Sequence, residues 1–218
     1  MTQLLFILIT LLSILLFWLG TGKDNRFLLV FPAWLILTGC LAFAGVFERN
    51  PPLFPLTMLG TVGLIVYQVK RSMRRVLHPG ILVAIHILRV PVELGLYQLY
   101  LQEQIPVLMT FAGWNFDILT GISACILLLY MIYSKTRIST RFFLAWNIIG
   151  LLFLFIIVII AILSAPLPVQ QFAFDQPNVA VLSFPYCLLP FRIVPVVLMS
   201  HVLLINQRKT NNVNPEKT

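Results

Sequence analysis

Long apolar runs separated by short polar connections dominate this chain. Seven runs approach the ~20 residues that a helix needs to cross a bilayer: 2–20, 27–47, 53–70, 79–101, 105–134, 141–164 and 179–206. The fifth and seventh are long enough to tilt, kink or project beyond the membrane. Pro51, Pro52 and Pro55 crowd the start of the third, where the first turn of a helix tolerates them. The first run resembles the core of a signal peptide. It has neither a preceding positive charge nor a following small-residue cleavage site, so it reads as a retained helix.

The connections test this count. Loop one holds Lys23, Asp24 and Arg26; loop three holds Lys70, Arg71, Arg74 and Arg75; loop five holds Lys135, Arg137 and Arg141. The tail holds Arg208, Lys209, Glu216 and Lys217. By contrast, loop two holds Glu48 and Arg49, loop four only Glu103 and loop six only Asp175. Basic residues therefore alternate from loop to loop, and the positive-inside rule predicts an outside N-terminus and a cytoplasmic C-terminus. Trp18, Trp34, Tyr67, Tyr97, Tyr100, Tyr130, Tyr133 and Trp146 fall mostly near predicted helix ends, where amphipathic rings favour the interface.

Composition agrees with the pattern. Of 218 residues, 60% are hydrophobic and 10% charged, and the mean hydropathy is +0.97. Soluble domains carry about a quarter charged residues, so a soluble enzyme, a disordered chain and a disulfide scaffold are excluded. The net charge of +8 sits in short clusters between apolar runs. That pattern fits loops facing anionic lipid and predicts no nucleic-acid partner. Cys40, Cys125 and Cys187 lie inside apolar runs without close spacing, as small buried hydrophobes do. The expected fold is an all-α, polytopic seven-transmembrane-helix bundle over 1–206, with a short basic tail over 207–218. Short loops and the lack of an organelle signal suit a bacterial inner membrane.

Four charges fall inside predicted spans: Arg89, Glu93, Asp117 and Arg192. A charge at the bilayer centre costs ~2.5–3.5 kcal/mol on insertion scales. These four are therefore expected to face one another, water or a ligand. Counting ~1.5 Å per residue from the predicted outer ends puts Arg89, Asp117 and Arg192 at one depth, near ~20 Å, with Glu93 one turn further out. The sequence thus predicts one cluster between spans four, five and seven. On span four, His86, Arg89, Glu93, Tyr97 and Tyr100 recur at steps of three and four, and so share a face. Thr110, Trp114, Asp117, Thr120 and Gly121 do the same on span five, with Asn115 nearby. Asn147 and His201 read as lying closer to the cytoplasmic side. Pro91, Pro185, Pro190 and Pro195 are expected to kink their helices, as around binding cavities. The alternative for the four charges is an ion-pair network that only fixes helix register.

Other chemistry finds little support. No HxxxH or HExxH pair occurs, so no metal site is predicted. A haem between His86 and His201 would need two histidines whose estimated depths differ by about six residues to be level. Span seven has no Lys, which excludes covalent retinal there, and neither a GxSxG nor a phosphate-binding glycine loop is present. No cofactor is expected. The polytopic chain reads as a site for small-solute or ion translocation, or sensing, with Arg89, Glu93, Asp117, Arg192, His86 and Asn115 as substrate or ion ligands. Arg89 and Arg192 would bind an anionic group or hold the carboxylates; Asp117 and Glu93 would carry protons or a cation. The alternatives are an intramembrane enzyme acting on a lipid and a structural subunit of a membrane complex. Expected partners are the bilayer and a small solute, ion or lipid. Segment 165–179 reads as an interfacial loop, or as a cap over the cavity.

Overall fold

A computed structural model describes residues 2–134 and 138–213, with side chains to Gln207. Lys135, Arg137, Glu216 and Lys217 lie outside the described residues, as do the side chains of Arg208 and Lys209. Among the described residues the chain is helical, without strands. The helices are α1 Thr2–Gly20, α2 Asn25–Phe43, the single turn α3 Val46–Arg49, α4 Leu53–Ser72, α5 Pro79–Ile87, α6 Arg89–Leu101, α7 Asp117–Tyr133, α8 Thr140–Ser164 and α9 Val194–Val213. Six stretches are long and apolar enough to cross a membrane: α1, α2, α4, the α5–α6 pair, α8, and Leu189–Gln207. The seventh, α7, is apolar but has 17 residues.

The α5–α6 pair and α9 form the middle of the bundle and are its most buried spans. α1 and α7 pack against α5 and α6, while α9 also contacts α8 and α4. Outward faces carry Leu29, Ile36, Leu59, Ile126 and Ile132, all largely exposed. A water-soluble fold would hide so continuous an apolar surface, whereas lipid solvates it. Two of the aromatics read as interfacial, Trp34 and Trp146, are half-buried and pack against neighbouring helices. The Trp34 indole donates to Thr61 Oγ1 at 3.0 Å and lies over Gly60, where a Cβ would come within 2.8 Å of the ring. Trp146 packs edge-on against His86.

Contacts between loops follow the charge alternation. The His78 amide, at the end of loop three, donates to Gly20 O beside loop one at 2.9 Å. At the other end, Ser183 Oγ donates to Glu48 Oε1 at 2.9 Å, and Gln176 Nε2 donates to Tyr100 O and Ile105 O. Loops one and three therefore share one end, and loops two, four and six the other. Segment 165–179 belongs to that second end and is tied down by further amide bonds from Asn178 to Ser164 O and from Val179 to Gln104 O.

Asp24 organises the first end. It caps α2 by accepting from the Arg26 amide. It also takes a two-pronged contact from Arg71, at 2.7 and 3.1 Å, and a bond from Gln68 Nε2 at 3.3 Å. Burial raises the affinity of this carboxyl for a proton. The bonds from Arg71, Gln68 and the Arg26 amide, with the charge of Arg75, outweigh that and hold it below the ordinary carboxylate value. A carboxyl lowered in the native state stabilises the fold above its unfolded pKa and stops doing so as the pH falls through the native value. Asp24→Asn is therefore expected to lower the Tm in micelles by about 2–6 °C at neutral pH. The gap between wild type and variant should close as the pH drops below about 4. Thermal scans at several pH values check it.

Two expected spans differ from the structure. Span five is helical only from Asp117; residues 105–116 form turns around the 3₁₀ turn Val107–Met109. Pro106 cannot donate to a helical ladder. Thr110 Oγ1 bonds Val107 O and the Ala112 amide, and Asn115 Oδ1 accepts from the Asp117 amide at 3.1 Å. Such side-chain bonds to nearby backbone compete with helix formation. Gly113 closes the turn, since a Cβ there would lie 2.3 Å from Val107 O. Thr110 and Trp114 consequently do not share a helix face with Asp117. Span seven likewise becomes regular late: a 3₁₀ turn at Ala180–Leu182 and a π-helical turn at Leu189–Ile193 precede α9. Pro190 and Pro195 each remove an amide from the ladder.

Candidate functional site

Pro91 creates the setting. Without an N–H it leaves the Ile87 carbonyl unbonded by the ladder, and the helix breaks at Leu88 between α5 and α6. Arg89 is the first residue after that break. Its guanidinium is the hub of the site. Nη1 donates to Asp117 Oδ1 at 3.3 Å, and Nη1 and Nη2 both donate to Gly150 O at 3.3 Å. Nη2 also lies 3.3 Å from His201 Nε2. An arginine can only donate, so Nε2 of His201 accepts and its proton sits on Nδ1. That assignment matches the far side of the ring, where Nδ1 lies 2.9 Å from Asn147 Oδ1. Asn147 is held in this orientation by its own donation to Phe143 O at 2.8 Å.

Two glycines allow the approach. A Cβ on Gly150 would stand 2.6 Å from His201 Cε1, and one on Gly121 would stand 2.8 Å from Val90 Cγ2 and 3.3 Å from Arg89 Cβ. Small residues at such points let helices close tightly in lipid. They also bring the Gly150 carbonyl within reach of the guanidinium.

The side of the site that faces residues 105–116 is built on Asn115. Its Nδ2 donates to Glu93 Oε1 at 2.6 Å and to Met109 O at 3.0 Å, while its Oδ1 holds the Asp117 amide. Glu93 Oε2 has no partner. Arg89, Glu93 and Asp117 are 3%, 2% and 6% exposed, so this charge set is enclosed by protein. The guanidinium is paired with one carboxyl group, Asp117, and the second, Glu93, joins them through Asn115. Met109 also lines a neighbouring apolar cavity of about 100 Å³, with Phe6, Leu96, Ile157, Tyr186 and Leu189.

Five of the six residues picked out from the sequence thus meet. Arg89, Asp117, Asn115 and Glu93 are joined by hydrogen bonds. His86 joins through its ring, stacked on His201 with centroids 3.9 Å apart, and both of its nitrogens lack partners. That stacking leaves no gap for a haem and corrects the expected difference in depth. Arg192 does not join. It is completely buried, its guanidinium carbon lies 4.5 and 4.9 Å from the rings of Phe27 and Phe31, and none of its three nitrogens has a hydrogen-bond partner. The depth count failed for Arg192 because its helix starts near Leu189 and not at 179. The same late start misplaced His201, whereas Asn147 lies on α8, whose bounds agree with the expected span; both residues belong to the site. Gly150, which supplies a backbone carbonyl, carries no side-chain signal that a sequence could reveal. Among the described residues, no three His, Cys, Asp or Glu side chains converge as metal ligands.

No curated protein and no solved structure matches the chain. A family profile does match, over residues 52–207. That stretch contains every residue of the Arg89 network and leaves out α1–α3, including Phe27 and Phe31 beneath Arg192. The chain belongs to the family described as a domain of unknown function, DUF8737.

Proposed function

We propose that this chain is a seven-span protein of a bacterial inner membrane, with its N-terminus outside and its C-terminus in the cytoplasm, that couples protons to small-solute or ion translocation or to sensing. The α7 helix, at ~1.5 Å per residue, is about 25 Å long and needs little more to span. Non-helical backbone at membrane depth is tolerated where protein buries it, which suits residues 105–116. The pairing of loops one and three at one end, and of loops two, four and six at the other, supports the topology. The basic end is then the cytoplasmic one.

The observation that carries the functional reading is an enclosed Arg89–Asp117 pair beside a helix break, with a second enclosed carboxyl group, Glu93, linked to it only through Asn115. Arg89 divides its donors between Asp117, the Gly150 carbonyl and His201. A proton arriving on Asp117 cancels its attraction for Arg89 and leaves the α8–α9 side as the stronger partner. The break at Leu88 gives α6 a point about which to move. Glu93, with one oxygen bound by neutral Asn115 and the other bare, is the site that loads and unloads the proton. A structural role is the second reading, favoured by the low exposure of all three charged groups; it predicts no flux at all.

Reconstituted in liposomes under an imposed pH gradient, the wild-type protein is expected to pass protons, read by an entrapped pH dye. Glu93→Gln and Asp117→Asn should each lower the rate by about 10²-fold or more, the range for losing a positioned acid or base, while inserting normally. Unchanged flux in both variants ends the proposal.

A further inference from the structure

At the end where loops one and three meet, α2 and α4 enclose an open, strongly basic pocket. Arg26, Tyr67, Lys70, Arg71, Arg74 and Arg75 line it, and its volume is about 450 Å³. Among the described residues Asp24 is the carboxylate paired with them, and it is already engaged by Arg71 and by Arg75 at 3.5 Å. Arg75 is further held by its donations to Thr21 O and Gly22 O. Two of the five cations are thus fixed as walls. The other three, Arg26, Lys70 and Arg74, are exposed and have no ion-pair partner among the described residues. With Asp24 counted, the formal charge of the site is +4.

Five cations converging on a concave space around one satisfied carboxylate hold themselves apart only against repulsion, and an anion with several acceptor oxygens relieves it. Phosphate suits this fork geometry, because arginine binds it through two parallel N–H donors. The position selects the source. The next turns of the same two helices expose Leu29, Val62 and Val66, faces made for acyl chains, and Tyr67 stands between those residues and the cations, as interfacial tyrosines do. A glycerophospholipid with net negative charge can set its phosphate among Arg26, Lys70 and Arg74 while its chains run along Leu29 and Val66. Basic pockets between spans take such headgroups.

We infer that this pocket is a binding site for the phosphate of an anionic phospholipid, which bridges the ends of α2 and α4. The test is native mass spectrometry of the full chain in detergent, titrated with phosphatidylglycerol, phosphatidylcholine or inorganic phosphate. The wild type is expected to retain phosphatidylglycerol in preference to phosphatidylcholine, with inorganic phosphate failing to displace it. In Arg26→Gln/Arg74→Gln, retention should fall about 25-fold, at about fivefold per basic side chain near the surface. The charge-matched control Arg49→Gln/Arg141→Gln alters two exposed cations outside the pocket and should retain the lipid. Circular dichroism on the same samples shows that both variants are folded. Equal retention of phosphatidylcholine, or equal loss in the control, overturns the inference. Displacement by inorganic phosphate also overturns it and makes the pocket a site for soluble phosphate.

Discussion

Arg89→Met is expected to destabilise the bundle by about 3–5 kcal/mol, the range for removing one partner of a buried ion pair. Methionine fills much of the space, so the cost is electrostatic. Asp117 would keep its burial and lose its countercharge, Gly150 O would lose both of its side-chain donors, and His201 Nε2 would lose its neighbour. The assignment is separable from simple loss of packing. Removing the carboxyl as well, in Arg89→Met/Asp117→Leu, should restore much of the loss, because replacing a buried pair by apolar groups is often neutral. Denaturant titration of the four proteins in micelles gives the coupling energy. Additive losses would contradict the pairing.

The second large effect runs the other way. Arg192→Met is expected to leave stability unchanged or raise it by about 1–4 kcal/mol. Arg192 has as many donors as Arg89 and no acceptor for any of them. The ring faces of Phe27 and Phe31 return about 2 kcal/mol as cation–π contacts when desolvated. The cost of burying the charge is several kcal/mol, so the exchange favours methionine. A loss of 3 kcal/mol or more on substitution would mean that Arg192 has an acceptor in the membrane, and it would return this residue to the list of ligands. The same titration reads both outcomes. Two arginines at similar places in the sequence pattern are thus expected to respond with opposite sign, purely from what their guanidinium groups meet.

That contrast also marks what was legible in the sequence. The apolar runs and the alternation of basic loops follow from hydrophobicity and charge, which act locally, and they located the spans to within a few residues for α1, α2, α4 and α8. The pairing of Arg89 with Asp117 was legible because charges in apolar helices have few places to go. The depth of Asp117 was legible only in part, because helical rise does not run through residues 105–116. Those residues turn because Thr110 and Asn115 bond to nearby backbone and because Gly113 sits against Val107 O, and neither is visible as an interruption of hydrophobicity. The late start of the last span misplaced Arg192 and His201 by the same mechanism. Gly150 was out of reach altogether, since a carbonyl acceptor belongs to every residue alike.

The central claim is that Glu93 exchanges a proton with water from within the enclosed cluster. Infrared difference spectroscopy on the protein in lipid, stepped from high to low pH, reads it most directly, because a protonated carboxyl has its own C=O band. The account predicts that one component of this band on acidification, shifted in deuterated water, is missing from the Glu93→Gln spectrum. A Glu93→Gln spectrum in which every carboxyl component of the wild type survives unchanged would contradict it.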